Sequence, residues 1–486
     1  MNYKMMCRFF SWVCLLQTVF LIPPIAISIA DNTAPALLGF LITAAASLLL
    51  YIVFKLLSKN TSGTLYAKEG FVCVAASWIL LSLVGCLPFV ISGEIPKFID
   101  ALFEIVSGFT TTGATILSDV ESLSRAVIYW RSFSHWVGGM GVLVFLLAIT
   151  PGEKKTTGFT MHLFRAESPG PEVGKLVPKM RQTAMFLYVT YILLTVLNFV
   201  FLLLGKMDVF EAVCTALGTA GTGGFGIKND SLASYSPYIQ YVTTVFMLLF
   251  GVNFSCYYLL IFKQFKSVIK DEELRFYGIL VGASIAFISL QLFFGAIYPT
   301  FEESFRHASF QVATLISSTG FSTANYDLWP SASKAVLMIL MFTGACAGST
   351  CGGIKLARIL LLFKSLRRNI HKMLHPQQVQ AVRVNGNAID EKVVANTNAY
   401  LSAYIIIFFI SFILISFDGF SLMTNFSAVI ACFNNMGPGF EGVGPTQNFG
   451  GFGVLSKIVL IFDMLAGRLE IFPMLLTFSR SVWKRN

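Results

Sequence analysis

The sequence predicts an all-α polytopic membrane protein of about ten transmembrane helices, and three observations carry that class. Of 486 residues, 55% are hydrophobic and only 12% charged, against roughly a quarter charged in soluble domains. Apolar segments of about twenty residues recur along the whole length, the run a helix needs to cross about 30 Å of hydrocarbon. These segments are long and continuous, where a β-barrel shows short alternating ones.

The first apolar run, within MNYKMMCRFFSWVCLLQTVFLIPPIAISIA, is long and lacks a clean small-residue cleavage site, so it is read as a retained helix and not as a removed signal. Spans are expected at 9–30, 36–57, 70–92, 126–150, 183–205, 237–262, 275–298, 331–362, 395–417 and 454–480. With the N-terminus inside, the cytoplasmic segments carry Lys4 and Arg8; Lys55, Lys59 and Lys68; Lys154, Lys155, Arg165, Lys175, Lys179 and Arg181; Lys263, Lys266, Lys270 and Arg275; Lys364, Arg367, Arg368, Lys372, Arg383 and Lys392; and Arg480, Lys484 and Arg485. External segments keep a thin scatter, including Lys97, Arg125, Lys206, Lys228 and Arg306. The positive-inside rule therefore puts both termini in the cytoplasm. It also accounts for the net charge of +10 without nucleic acid.

After the first hairpin, each external connection contains a stretch too apolar for a simple loop and too short to span: 97–112, 208–220, 304–319 and 421–436. A helix over 100–110 reaches only about 15 Å, half the hydrocarbon thickness. Such re-entrant segments survive only when buried in protein or lining water. Aligned on a glycine, they form a repeat: DALFEIVSGFTTTGAT, DVFEAVCTALGTAGTG, HASFQVATLISSTGFS and TNFSAVIACFNNMGPG. The anchoring glycines are Gly113, Gly221, Gly320 and Gly437, each preceded by small or polar residues: Thr111 and Thr112, Thr219 and Ala220, Ser318 and Thr319, Asn435 and Met436. One Thr-Gly pair alone reads as a helix C-cap; four copies between spanning helices read as the internal repeats of a transport protein, with the site between them. The chain then divides into an N-terminal two-helix hairpin, 1–69, and four units of spanning helix, half-helix, glycine loop and spanning helix, over 70–182, 183–274, 275–394 and 395–486.

Four units around one axis point four half-helix C-termini, with their partial negative charge, at the bilayer centre, which favours a cation. Glycine lets the backbone turn carbonyls toward the axis, where they can replace an ion's hydration shell. Carbonyl oxygens are hard, neutral ligands that suit alkali cations.

On FTTTGAT, SSTGFSTANYDLWP, NNMGPGF, GSTCGGIK and GRLEIF, the sequence resembles the TrkH/KtrB family of bacterial potassium transporters, related to plant HKT proteins, over essentially the whole chain. The extra N-terminal hairpin is similar to the TrkH branch. The resemblance implies a filter with one glycine per repeat, K+ as the transported ion at the filter residues named above, and no bound organic cofactor. Glycine at all four positions favours potassium over sodium, while the surplus glycines of GTAGTGGFG blur the register of the second loop. The resemblance also implies a homodimer in the bacterial inner membrane with a cytosolic TrkA-type nucleotide-binding regulatory subunit.

Two features lie below the filter. GACAGSTCGGIK, 344–355, interrupts a long apolar segment with small and β-branched residues. It reads either as small-residue helix packing or as an unwound loop lining a cavity; by resemblance Gly344, Gly348, Gly352, Gly353 and Lys355 belong to a mobile gate. Arg468 follows an apolar run, and a central charge costs at least about 2.5–3.5 kcal/mol on insertion scales. It reads either as a partner of Glu470 or Asp463, or snorkelling outward, or, in agreement with the resemblance, as a fixed positive charge gating the path.

Acidic residues near the outer mouth, among them Asp100, Asp119, Glu121, Asp208 and Asp327, either gather cations or only cap and solvate, while Glu104 and Glu211 fall within half-helices where they can brace the filter. Nine cysteines are scattered singly and five histidines dispersed, so no disulfide frame, zinc site or catalytic constellation follows and no enzyme is expected. The two longest cytoplasmic segments, 151–182 and 363–394, are too short for a nucleotide-binding domain. Potassium uptake through a channel-like pore is the expected function; symport with sodium or protons is the alternative, opposed by the shortage of buried carboxylates in the spans.

Overall fold

A computed structural model describes residues 3–59, 67–141, 180–378 and 380–480. The second half of the expected span 126–150 and the basic residues Lys154, Lys155, Arg165, Lys175, Lys179, Lys484 and Arg485 lie outside them. Regular structure among the described residues is helical, apart from a hairpin pairing Arg383–Val384 with Asn387–Ala388.

Among the described residues, six helices are long and apolar enough to cross a membrane: Tyr3–Ala30, Ala34–Leu57, Glu69–Ile91, Ala184–Leu204, Glu272–Phe294 and Glu391–Asp418. The first two are the N-terminal hairpin, and the others open the four units. Their outward faces are apolar, with Ile279 69% and Phe294 80% exposed, while hydroxyls turn inward and bond back to their own helix, as Thr43 Oγ1 does to the Gly39 carbonyl. An apolar exterior over a partly polar interior fits a lipid surround and not water.

The second spanning helix of each unit differs from the expected continuous run. The expected span 237–262 is Pro237–Phe250 and Phe254–Ile261, bent by 89°. The expected span 331–362 is Ser331–Thr343 and Leu356–Leu374 around an unwound 344–355, and 454–480 is Val454–Arg468 and Phe472–Phe478, joined through Glu470 and Ile471 at positive φ. In the first unit Arg125–Met140 ends at Gly141, φ 80°. One interruption was expected, in the third unit; the second and fourth units are broken as well, and in the first the described helix stops at Gly141. A glycine stands at or beside each break, Gly141, Gly251, Gly344 and Gly467, where helix is least favoured, but apolar flanks hide all but the glycine-dense third.

Half-helices occupy Phe98–Phe109, Val209–Gly221, Phe301–Ile316 and Leu422–Phe433. Three begin on side-chain caps: Asp208 accepts from the Phe210 amide, Thr300 from Glu303 and Ser421 from Thr424, which satisfies amide groups left open at a helix start. Each half-helix packs against the second helix of the preceding unit: the first on Val454–Arg468, the second on Arg125–Met140, the third on Pro237–Phe250 and the fourth on Ser331–Thr343. That pattern closes four units into a ring, with the N-terminal hairpin packed outside against the first.

Candidate functional site

All four half-helices end in the same hydrogen-bonded turn. The amides of Thr112, Gly223, Thr319 and Met436 donate five residues back, to the carbonyls of Ser107, Gly218, Thr314 and Ala431, at 2.8–3.0 Å. The preceding residues, Thr111, Thr222, Ser318 and Asn435, are left-handed at φ 51–58° and donate three residues back. The residue after is a glycine at positive φ in each loop: Gly113, Gly224, Gly320 and Gly437. This is a Schellman-type helix end, followed by a second left-handed position that only glycine takes without strain.

The second loop corrects the sequence alignment. Gly221 is the last residue of its half-helix, and Thr219 and Ala220 lie within that helix; the turn is Thr222, Gly223 and Gly224, three residues on. GTAGTGG offers glycine at both registers, and only the helix end distinguishes them. The other nine expected filter residues occupy equivalent positions in their loops.

These turns meet. The Gly223 carbonyl oxygen presses against Gly113, that of Thr319 against Gly224, that of Met436 against Gly320 and that of Thr112 against Gly437, so that a Cβ on each glycine would come within 1.9, 2.0, 2.6 and 2.9 Å of it. One carbonyl from each loop is thus wedged beside its neighbour's glycine, in the order one to four and back to one. Hydroxyls brace the turns: Thr110 with Thr112 at 2.8 Å, Ser317 with Thr319 at 2.7 Å. Asn435 Nδ2 donates to Thr112 Oγ1 at 3.0 Å and to the Met464 carbonyl at 2.9 Å, tying the fourth loop to the first.

Beyond the glycines a cavity opens, lined by Gly113, Gly224, Gly320 and Gly437 together with Asn229, Arg131 and Gln447. The acidic residues expected at the outer mouth are largely knitted into the loops. Asp119 accepts from Asn229 Nδ2 at 2.9 Å, which holds its carboxyl below the usual range, and Glu121 accepts from the Asn229 amide. Burial raises Asp327, whose Oδ1 accepts from the Glu441 amide. Glu211 takes the Tyr235 hydroxyl away from the turns. Glu104 is a brace: fully buried, it pairs with Arg131 at 2.8 Å and receives Thr115 Oγ1 and the Ile116 amide just past the first glycine. The Arg131 guanidinium also lies 4.1 Å over the Phe225 ring just past the second glycine. His135 donates from Nδ1 to the Gly108 carbonyl and accepts the Phe225 amide at Nε2, which fixes its neutral tautomer.

On the other side of the turns lies the 344–355 segment, which is unwound and not packed helix. Gly352 donates its amide to Ser318 Oγ at 2.6 Å, and a Cβ there would come within 2.1 Å of the Asn434 carbonyl. Gly344, Gly348 and Gly353 take positive φ, and the Gly348 carbonyl receives the Phe254 amide at the bend of the second unit. Lys355 is buried and turns back to the Cys351 carbonyl at 2.5 Å and Ser349 Oγ at 3.3 Å. Arg468 bridges this segment to the first unit, donating to the Thr350 carbonyl at 2.9 Å and to the Gly138 and Gly139 carbonyls at 2.5 Å. Glu470 pairs with Arg358 and Asp463 accepts from Ser411. All the expected gating residues are therefore gathered below the four turns.

A profile of the TrkH family, cation transport proteins, matches residues 38–485. The chain belongs to the TrkH family. Among relatives, the Trk system potassium uptake protein TrkG of Escherichia coli K12 is 33% identical over 99% of this chain and 98% of its own. TrkH of Halomonas elongata is 31% identical over the whole of both chains. The crystal structure of the potassium transporter TrkH from Vibrio parahaemolyticus superposes with a TM-score of 0.86 at 29% identity, covering all of both chains. The TrkH likeness thus includes the N-terminal hairpin, and it agrees with a multi-pass, non-enzymatic membrane transport protein.

Sequence reasoning missed Arg131, His135, Glu273 and the Thr222–Gly224 turn. Arg131 carried the same signal as Arg468, a charge within an expected span. The expected shortage of buried carboxylates in the spans is also corrected: Glu273 and Asp463 are at most 8% exposed, and the acidic run around Glu273 reads as a solvated helix start.

Proposed function

We propose that this chain takes up potassium across the bacterial inner membrane through a channel-like pore, one per chain. The filter is formed by Thr111, Thr112 and Gly113; Thr222, Gly223 and Gly224; Ser318, Thr319 and Gly320; and Asn435, Met436 and Gly437. The observation that carries this reading is the same helix end repeated four times in a closed ring, with one carbonyl of each loop against the next glycine. Carbonyl rings of this kind can replace the shell of an alkali cation, and four half-helix C-termini favour positive charge there. K+ is the substrate.

Under the ring, the 344–353 segment obstructs the path and Arg468 holds it there, its guanidinium also setting a positive charge beneath the filter. Release of both is the opening step. The chain works as a homodimer with both termini cytoplasmic, by the positive-inside rule, under a TrkA-type nucleotide-binding subunit; the Trk-system naming of its relatives fits a multi-component system. A second reading, symport with sodium or protons, draws on Asp463, buried with Oδ2 unpartnered among the described residues.

Rubidium uptake into proteoliposomes, with and without sodium and pH gradients, decides between them. Downhill flux indifferent to both gradients is expected. Obligatory dependence on either gradient replaces the channel-like reading with the symport one.

A further inference from the structure

Helix Glu272–Phe294 starts with three consecutive acidic residues, and each does something different. Asp271 caps the helix, accepting the Leu274 amide at 2.8 Å. Glu272 pairs with Lys364 of helix Leu356–Leu374, which leads directly out of the unwound segment. Glu273 is not needed as a cap; its carboxylate turns inward, 8% exposed, and accepts the Ala347 amide at 2.6 Å.

The same turn is held from the other side by the hairpin at 383–388. Asn385 Oδ1 accepts the Glu272 amide and its Nδ2 donates to Asp271 Oδ2, both at 2.8 Å. Lys364 Nζ reaches the Arg383 carbonyl at 2.7 Å. One helical turn therefore joins the hairpin, the helix after the unwound segment, and that segment's own backbone at Ala347.

We infer that Glu273 is a positioning residue that fastens the 344–355 segment beneath the filter and couples its position to the hairpin at 383–388. The inference rests on reading that segment as the gate. Motion of the hairpin pulls on Asp271 and Glu272, rotates the first turn of the helix and withdraws the Glu273 carboxylate from Ala347. The segment then keeps its ties to Arg468, Ser318 and Phe254 and the Cys346 amide bond to the Gly251 carbonyl, one fewer than before, and it opens more readily. A load on the surface of the protein thus reaches the pore through a short chain of hydrogen bonds.

The test uses the full chain in proteoliposomes and reads rubidium flux without any regulatory subunit. Glu273→Ala is expected to raise basal flux by about tenfold, the scale of one buried hydrogen bond, with potassium over sodium selectivity unchanged. Glu273→Gln keeps an acceptor oxygen for Ala347 and is expected to return flux most of the way. Asn385→Ala raises flux less, and adds nothing on top of Glu273→Ala. Wild-type flux in Glu273→Ala beside raised flux in Arg468→Ala overturns the inference and leaves the gate reading standing; wild-type flux in both overturns the gate reading and the inference with it. Hydrogen exchange across 344–355 is measured in Asn385→Ala as well, so the test survives a poorly folded Glu273→Ala: faster exchange is expected, and unchanged exchange overturns the coupling.

Discussion

At the scale of single residues, the positions that matter are those where a charge or a backbone conformation demands a particular neighbour. Arg468 was legible because a guanidinium in an apolar run has to be held by something, and the carbonyls of Thr350, Gly138 and Gly139 hold it. Arg131 obeys the same rule through Glu104, and removing one partner of so buried a pair typically costs about 3–5 kcal/mol. The glycine of the second turn was not legible, because GTAGTGG supplies a glycine wherever one is sought. Helix geometry separates the candidates: Gly224 sits at φ +71° against the Thr319 carbonyl, and Gly221 sits inside the helix against His135. Gly224→Ser, like Gly113→Ser, is therefore expected to lower potassium over sodium selectivity about tenfold, a change worth about 1.4 kcal/mol. Gly221→Ser is expected to lower the melting temperature and leave selectivity in the surviving protein intact. Competition of sodium against rubidium uptake reads both, and the reverse pattern returns the filter to the sequence register.

At the scale of elements, half-helices were readable from length alone, since an apolar run of a dozen residues cannot cross the bilayer and must end inside protein. The broken second helices were not. Hydropathy sums side chains and is blind to where the backbone turns, so 237–262 and 454–480 look continuous although they are bent or interrupted after Phe250 and Arg468. The breaks of the second to fourth units and the helix end at Gly141 sit under the four turns, where the 344–355 segment lies. Arg468 spans two of these elements, the unwound segment and the end of Arg125–Met140. Arg468→Ala is expected to raise basal rubidium flux about tenfold or more, given hydrogen bonds from a charged donor worth about 1.5–3 kcal/mol each. Lower flux from a protein of unchanged melting temperature would mean that the guanidinium shapes the path and does not hold it closed.

At the scale of the whole molecule, the four units act as one ring because each half-helix leans on the unit before it. Closure between the last unit and the first depends on Asn435, whose amide reaches Thr112 and Met464. Asn435→Leu leaves buried acceptors unpaired, at about 1–3 kcal/mol. The expected outcome is a lower melting temperature together with weakened selectivity, since the seam lies at the filter itself. A loss of stability with selectivity untouched would place the seam outside the conducting ring.

The sequence by itself determined the class, the fourfold repeat, the re-entrant half-helices and the two unusual features beneath them. Each of these follows from composition, segment length or a charge in the wrong medium, and such quantities are local. Tertiary structure alone decided which glycine of the second loop joins the ring, where the second helices of the later three units break, and that Glu273 reaches Ala347. Those depend on which backbone groups meet across units far apart in the chain, and hydrogen-bond partners brought together by packing leave no periodic trace in the sequence that supplies them.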